Sequence, residues 1–179
     1  MIDIVQASPG SHHLAELHNR FVAEWGAFDA HDAHDAFDAA RFGATPPPPP
    51  PPLLALRGPW LLGGLAFSRY PSPLANVVGL GINGLQVEVM HRRQGITSLL
   101  IRAAEREAQA LGVAVMFVRT QLPGLYQALG WQLVETRDGL AILGRNLAAG
   151  PAAPLGAAPL AAAPFSTAPL NAPPACRPT

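Results

Sequence analysis

Apolar residues recur at helical spacing at Leu14, Leu17, Phe21 and Trp25, so residues 12–26 are expected to form an amphipathic helix. Ser11 stands just ahead of this segment, where a hydroxyl acceptor serves as an N-cap. The preceding IDIVQA reads as a short strand. Further along, LLALRGPWLLGGLAFSRY breaks into two β runs about a Gly58-Pro59 turn, and INGLQVEVM alternates Leu85, Val87 and Val89 as a strand does. The helical period returns in ITSLLIRAAEREAQALG, where Ile96, Leu99, Leu100, Ala103, Ala104 and Leu111 fall on one stripe. Glu105 and Glu107 lie off that stripe, and Gly112 suits a C-terminal cap. VAVMFV is apolar throughout, as a strand buried on both faces would be. GLYQALGW predicts a short helix ending in a turn, and QLVET with LAILG close the pattern as a β pair. The predicted order, β-α-(loop)-β-β-β-α-β-α-β-β, belongs to a mixed α/β sheet.

Two stretches do not fit a packed core. Residues 46–52 are seven consecutive prolines, which lack backbone donors and predict a polyproline II spacer. From Pro154 onward proline recurs every fifth residue, which forbids a helix, so residues 150–179 are expected to be a disordered Pro/Ala-rich tail. The folded domain is therefore placed at residues 1–149, with a mobile acidic and polyproline insert at about 27–52. Within that insert, FDAHDAHDAFDA sets Asp29, Asp32, Asp35 and Asp38 three apart. Three residues advance a helix by about 300°, so these acids drift round its surface and form a solvated loop or helix. His31 and His34 lack a clear third ligand, and no metal is expected.

Composition narrows the class. Twelve arginines balance 12 acids, and there is no lysine, which gives little support for nucleic-acid binding by counterion release. Cys176 is alone, so neither a disulfide framework nor a thiolate metal cage is available. MIDIVQASPG lacks the apolar core of a signal peptide, and PWLLGGLAF is too short to span a bilayer. A cytoplasmic protein with no membrane partner is expected.

The chemistry concentrates in HRRQGITSLL, where a strand ends in an arginine-glycine loop and a helix begins. The first N–H groups of a helix have no internal partner, and its dipole is positive there, so a phosphate finds donors already aimed at it. Gly95 permits close approach, and Arg92 and Arg93 add charged donors. Alone, one glycine between arginines is a weak signal, equally met by a solvated arginine pair.

The longer stretch LQVEVMHRRQGITSLLIRAAEREA, then a strand, then LYQALGW, resembles the GNAT superfamily of acetyl-CoA-dependent N-acetyltransferases. That family's Arg/Gln-x-x-Gly-x-Gly/Ala signature falls on Arg92, Gly95 and Thr97, and its Leu/Phe-Tyr-x-x-x-Gly-Phe/Trp segment on Leu125, Tyr126, Gly130 and Trp131. The resemblance implies a GNAT-like α/β fold, with a mixed, mostly antiparallel central sheet flanked by helices. It implies that main-chain groups of Leu85, Gln86 and Val87 hold the pantetheine arm. It assigns the pyrophosphate to the amides of Arg93, Gln94, Gly95, Ile96, Thr97 and Ser98, with Arg92 beside them, and sets Tyr126 at the cofactor's sulfur.

Two positions depart from the pattern. Thr97 stands where the family has glycine or alanine; since alanine is allowed, the site need not have positive φ, and the limit is one of room. Its methyl adds bulk and its hydroxyl a further donor, and the cradle is expected to work. Phe117 stands where many relatives carry a glutamate base on the buried strand, and QLPG supplies no asparagine. Glu88 is the acid nearest the motif, but a carboxylate facing solvent or paired with an arginine is the preferred reading of it. Tyr126 is the stronger catalytic candidate, because a phenol can hydrogen-bond the departing sulfur as charge develops.

The function expected is acetyl transfer from acetyl-CoA to an amine of unknown identity by direct attack, with no metal. The partner expected is a small-molecule or peptide amine acceptor, with no nucleic acid; a homodimer is an open option. A catalytically degenerate CoA-binding or regulatory module is the alternative, and a proline-rich interaction protein a further one.

Overall fold

Seven strands and three helices make up residues 1–26, 49–71 and 78–148, which are the residues the computed structural model describes. Strand β1 (Asp3–Gln6) leads into helix α1 (His12–Trp25), which starts where a hydroxyl is available: Ser11 Oγ accepts from Leu14 N at 3.3 Å. It stops at Gly26, whose φ of 82° turns the chain out of the helix. Strands β2 (Leu53–Arg57) and β3 (Trp60–Pro71) form a hairpin, and β4 (Val78–Val87) returns alongside β3. A single 3-10 turn, Val89–His91, then leads to helix α2 (Ile96–Ala110). Strand β5 (Val115–Thr120), the short helix α3 (Pro123–Gln127) and the hairpin of β6 (Gln132–Arg137) and β7 (Leu140–Asn146) complete the chain's described part. The order of elements is the one predicted.

The strands lie in the order β1-β2-β3-β4-β5-β7-β6, and every neighbouring pair is antiparallel except β4–β5. This is the mixed, mostly antiparallel sheet that the sequence leads one to expect. Each face buries its own cluster. Leu17 and Phe21 of α1 pack with Leu54, Leu61 and Ala66 on one face, while Ile96, Leu100, Ile101 and Ala104 of α2 pack with Leu65, Ile82, Met116 and Leu143 on the other. Each large side chain so buried contributes about 1.5–3 kcal/mol, and together they clamp both helices to the sheet.

Three details differ from the expected pattern. The buried sector of α2 is centred further round the helix, toward Ile101 and Ala108, because the helix lies across β1, β2, β3 and β4 at once. Leu99 is left at the margin, 42 % exposed, and Leu111 falls past the last helical turn as its C-cap. Strand β4 ends at Val87: Glu88 N donates to Leu62 O, then His91 N folds back to Glu88 O at 2.8 Å, so Val89 lies on the turn, 66 % exposed. The same strand begins at Val78, four residues before the apparent alternation, because Gly79 and Gly81 carry no side chain to mark it.

The aspartate repeat with His31 and His34, Pro46 to Pro48 of the proline run, and the tail at 150–179 lie outside the described residues. Pro49, Pro50, Pro51 and Pro52 are in neither helix nor strand, and Pro52 O accepts from Ala7 N at 2.7 Å. Among the described residues no helix is long and apolar enough to cross a membrane.

Candidate active site

The parallel pair holds together at only three positions: Leu80 with Met116, Gly81 with Phe117, and Ile82 with Val118. Beyond them the register of β4 on β3 slips by one, from Ile82–Phe67 to Gly84–Ala66, leaving Asn83 as the extra residue. Such a bulge bends a strand. From there β4 stays on β3 as far as the Val87–Gly63 pair, while β5 stays on β7 as far as Thr120–Ala141. The edge of β4 that carries Leu85, Gln86 and Val87 therefore has no strand partner on the β5 side among the described residues. Gly63 allows β4 to lie this close to β3, since a Cβ there would run into Gln86 O and stand 2.9 Å from Val87 Cα.

The loop at the end of β4 is built from unusual backbone. Arg93 has φ 62° and Gly95 φ 79°, two left-handed residues two positions apart. An arginine in that region costs about 1–2 kcal/mol, a strain that marks functional loops. Arg92 turns back, its Nε donating to Val87 O at 3.0 Å, and so ties the strand end to the loop. Gly95 is the N-cap of α2 and offers no side-chain cap, and Leu99 N donates to Gly95 O at 3.1 Å. The amides of Ile96, Thr97 and Ser98 precede that bond. A Cβ built on Gly95 meets nothing within 4 Å, so the space beside this residue is open. Thr97 is the second residue of the helix and is not among the non-glycine residues with positive φ, so its branched side chain causes no backbone strain.

Tyr126 lies on α3 and is buried in the large core cluster that also holds Val87, Ile96 and Leu100. Its hydroxyl has no hydrogen-bond partner among the described residues. Burial pushes its pKa well above the ordinary phenol value, so it stays protonated. The Trp131 ring meets it edge-on, with centroids 5.4 Å apart.

Glu88 sits apart from that group, on the side of the sheet that carries α1. Its Oε2 lies 3.1 Å from Arg20 Nη1, and Arg20 Nη2 donates to Glu16 Oε1 at 2.6 Å and to Leu61 O at 3.1 Å. One guanidinium thus serves two carboxylates and a strand carbonyl. Gln86 faces the same way, because its cross-strand partner Gly64 abuts Leu17 of α1. Its Oε1 is buried without a partner among the described residues. Phe117 is buried and stacked on Tyr70, with centroids 5.5 Å apart, so no carboxylate stands on β5 at that point. Sequence reasoning missed the Arg20 clamp and the role of Gly63; the Gly63-Gly64 pair inside a strand was the available signal for close backbone approach. No group of three or more His, Cys, Asp or Glu side chains is placed to hold a metal among the described residues.

A family model described as the acetyltransferase (GNAT) family matches residues 14–131. The chain belongs to this family. GNAT membership indicates acyltransferase activity. No curated protein matches the chain. Solved structures share its fold at low identity. A GNAT-family protein from Desulfovibrio desulfuricans is 15 % identical with a TM-score of 0.58, covering 83 % of this chain and 100 % of its own. An aminoglycoside 6'-N-acetyltransferase complexed with coenzyme A is 14 % identical with a TM-score of 0.57, covering 81 % of this chain and 97 % of its own. The N-acetylglutamate synthase from Neisseria gonorrhoeae, complexed with coenzyme A and N-acetyl-glutamate, is 16 % identical with a TM-score of 0.56, over 82 % of this chain and 35 % of its own.

Proposed function

We propose that this GNAT protein transfers the acetyl group of acetyl-CoA to a primary amine of a small molecule or peptide. The observation that carries the reading is the unpaired edge of β4 leading directly into an uncapped, open helix start at Gly95. Residues and ligand fit. The main-chain N–H and C=O of Leu85 point away from β3 and suit an extended amide-bearing arm, whereas those of Gln86 are turned toward β3, where its carbonyl lies against Gly63. The amides of Gly95, Ile96, Thr97 and Ser98, with the exposed guanidinium of Arg93, suit a pyrophosphate. Val87 O is already taken by Arg92, so the arm relies on Leu85 and the Val87 amide. Coenzyme A is present in two of the similar structures.

Acetyl-CoA supplies a thioester carbonyl that a neutral amine can attack, releasing the thiol. Tyr126 has one task in this scheme: its hydroxyl, otherwise unpartnered, donates a hydrogen bond where the departing sulfur gains charge. A raised pKa makes it a persistent donor rather than a ready acid. The acceptor approaches from the α1 side, where Gln86 Oε1 is available to an ammonium N–H and Glu88 and Glu16 outweigh Arg20 by one charge. An aliphatic ammonium with a pKa of about 10.4 must lose a proton before attack, and with Phe117 on β5 this falls to Glu88 or to water.

The test is a melting shift with acetyl-CoA, followed by thiol release with polyamines, aminoglycosides and amino acids. Acetyl-CoA should raise Tm by mass action, and Gly95→Glu should abolish the rise. Equal shifts in the two proteins would overturn the assigned cradle. Binding without turnover of any amine would favour the degenerate module, which the Arg20–Glu88 pairing and Phe117 independently support.

A further inference from the structure

Glu105 lies off the apolar stripe of α2, yet its side chain is only 13 % exposed. Its Oε1 accepts from Trp131 Nε1 at 2.8 Å and stands 3.4 Å from Arg145 Nε on β7. Arg145 Nη1 in turn donates to Gly130 O at 2.8 Å. Gly130 has φ 89°, and a Cβ there would come within 2.6 Å of Arg145 Nη1, so the turn after α3 is moulded round the guanidinium. The backbone completes the tie: Trp131 N donates to Tyr126 O at 3.1 Å. One carboxylate on α2 therefore grips both ends of the Gly130-Trp131 turn, and Trp131 is the ring that meets Tyr126 edge-on.

We propose that Glu105 is a positioning residue for acetyl transfer: by fixing the Trp131 indole it fixes the direction of the Tyr126 hydroxyl. The inference rests on the reading of Tyr126 given above. Since that hydroxyl has no protein partner among the described residues, packing of its ring sets where it points, and the tilted contact with the indole is the directional part of that packing. Misplacing a reacting group by about 1 Å costs on the order of 10²-fold in rate.

The chain suits a spectroscopic test, because it holds 3 tryptophans and 2 tyrosines. With 15N-labelled tryptophan and 13C-labelled tyrosine, Trp131→Phe and Tyr126→Phe assign the two signals of interest. Glu105→Ala should move the Trp131 indole N–H signal upfield and shift or broaden the Tyr126 ring signals. Glu105→Gln keeps an acceptor oxygen and should restore most of both. In turnover, Glu105→Ala should lower kcat by on the order of 10²-fold and leave KM for acetyl-CoA within about threefold, with no further loss when Tyr126 is already phenylalanine. Unchanged Tyr126 signals in Glu105→Ala, despite a moved indole signal, would overturn the proposal and leave Glu105 a staple of the fold. If Glu105→Ala fails to fold, Trp131→Phe and Glu105→Gln decide by the same Tyr126 signals. If no amine is turned over, the enzymatic reading fails separately and the labelled spectra still decide whether Glu105 fixes Tyr126.

Discussion

The ring of Phe117 occupies the space that Gly79 leaves bare: a Cβ on Gly79 would stand 3.1 Å from Phe117 Cε2. The ring also stacks on Tyr70, which covers Gly81 in the same manner. Aromatic rings on β3 and β5 thus replace the side chains that β4 lacks. A carboxylate grafted at this point would lose that packing and be buried without a partner. Phe117→Glu should cost about 3–5 kcal/mol or more in urea unfolding. The loss should shrink as pH falls toward 5, because protonation removes the buried charge. A variant as stable as the parent at pH 7 would show that the strand has room for the acid.

Gly95 separates conformation from contact. Its φ is left-handed but the space beside it is open. Gly95→Ala should therefore destabilise the chain by about 1–2 kcal/mol through backbone strain alone, and retain part of the acetyl-CoA melting shift. Gly95→Glu should lose the shift altogether, since it adds bulk and like charge beside the phosphates.

For Tyr126, folding and turnover should come apart. The hydroxyl has no protein partner among the described residues, so Tyr126→Phe should leave stability within about 1 kcal/mol while thiol release falls by about 10²–10⁴-fold. The alkaline limb follows from burial, which raises the folded-state pKa above the ordinary value near 10. Above that pH the unfolded chain releases a proton that the folded one keeps, so stability falls as pH rises. Tyr126→Phe should flatten that decline, and below pH 10 the rate profile should carry no limb from this residue.

The Arg20 cluster distinguishes a clamp from a base. If Glu88 serves mainly to seat Arg20, Glu88→Gln should keep turnover within about threefold, whereas a general base would cost about 10²–10⁴-fold. Gln86→Leu should raise KM for the amine and leave KM for acetyl-CoA unchanged. Arg20→Ala should loosen α1, which proteolysis or hydrogen exchange in residues 12–25 would register.

Chemical denaturation of Ile101→Ala and Leu99→Ala checks the true buried face of α2. The first should cost about 2–5 kcal/mol, and the second well under half of that, because its side chain already meets solvent.

Much of this was legible in the chain. Helix α1 announced itself by period and cap, and the loop at Arg92 and Gly95 by the resemblance of its motif. What escaped did so for physical reasons. A helix laid across four strands buries a sector wider than one stripe, so Ile101 could not be told from a surface residue by period alone. Glycines erase the alternation that marks a strand, which hid the start of β4. The Arg20–Glu88 and Glu105–Trp131 pairs join residues 68 and 26 positions apart, by subtraction of their numbers, and no local pattern encodes such distant meetings.

The three paired positions between β4 and β5 also make a seam between two halves of the sheet, β1 to β4 and β5 to β7, each held by antiparallel pairings of its own. A ligand arm lying along the free edge of β4 would act as a splint across that seam, supplying on one side the hydrogen bonds a strand would have made. On the proposed placement of acetyl-CoA, the substrate would finish the sheet. Amides of Asn83 to Val87 and of β5 should be the first to open when the splint is absent, and the last to exchange when it is in place.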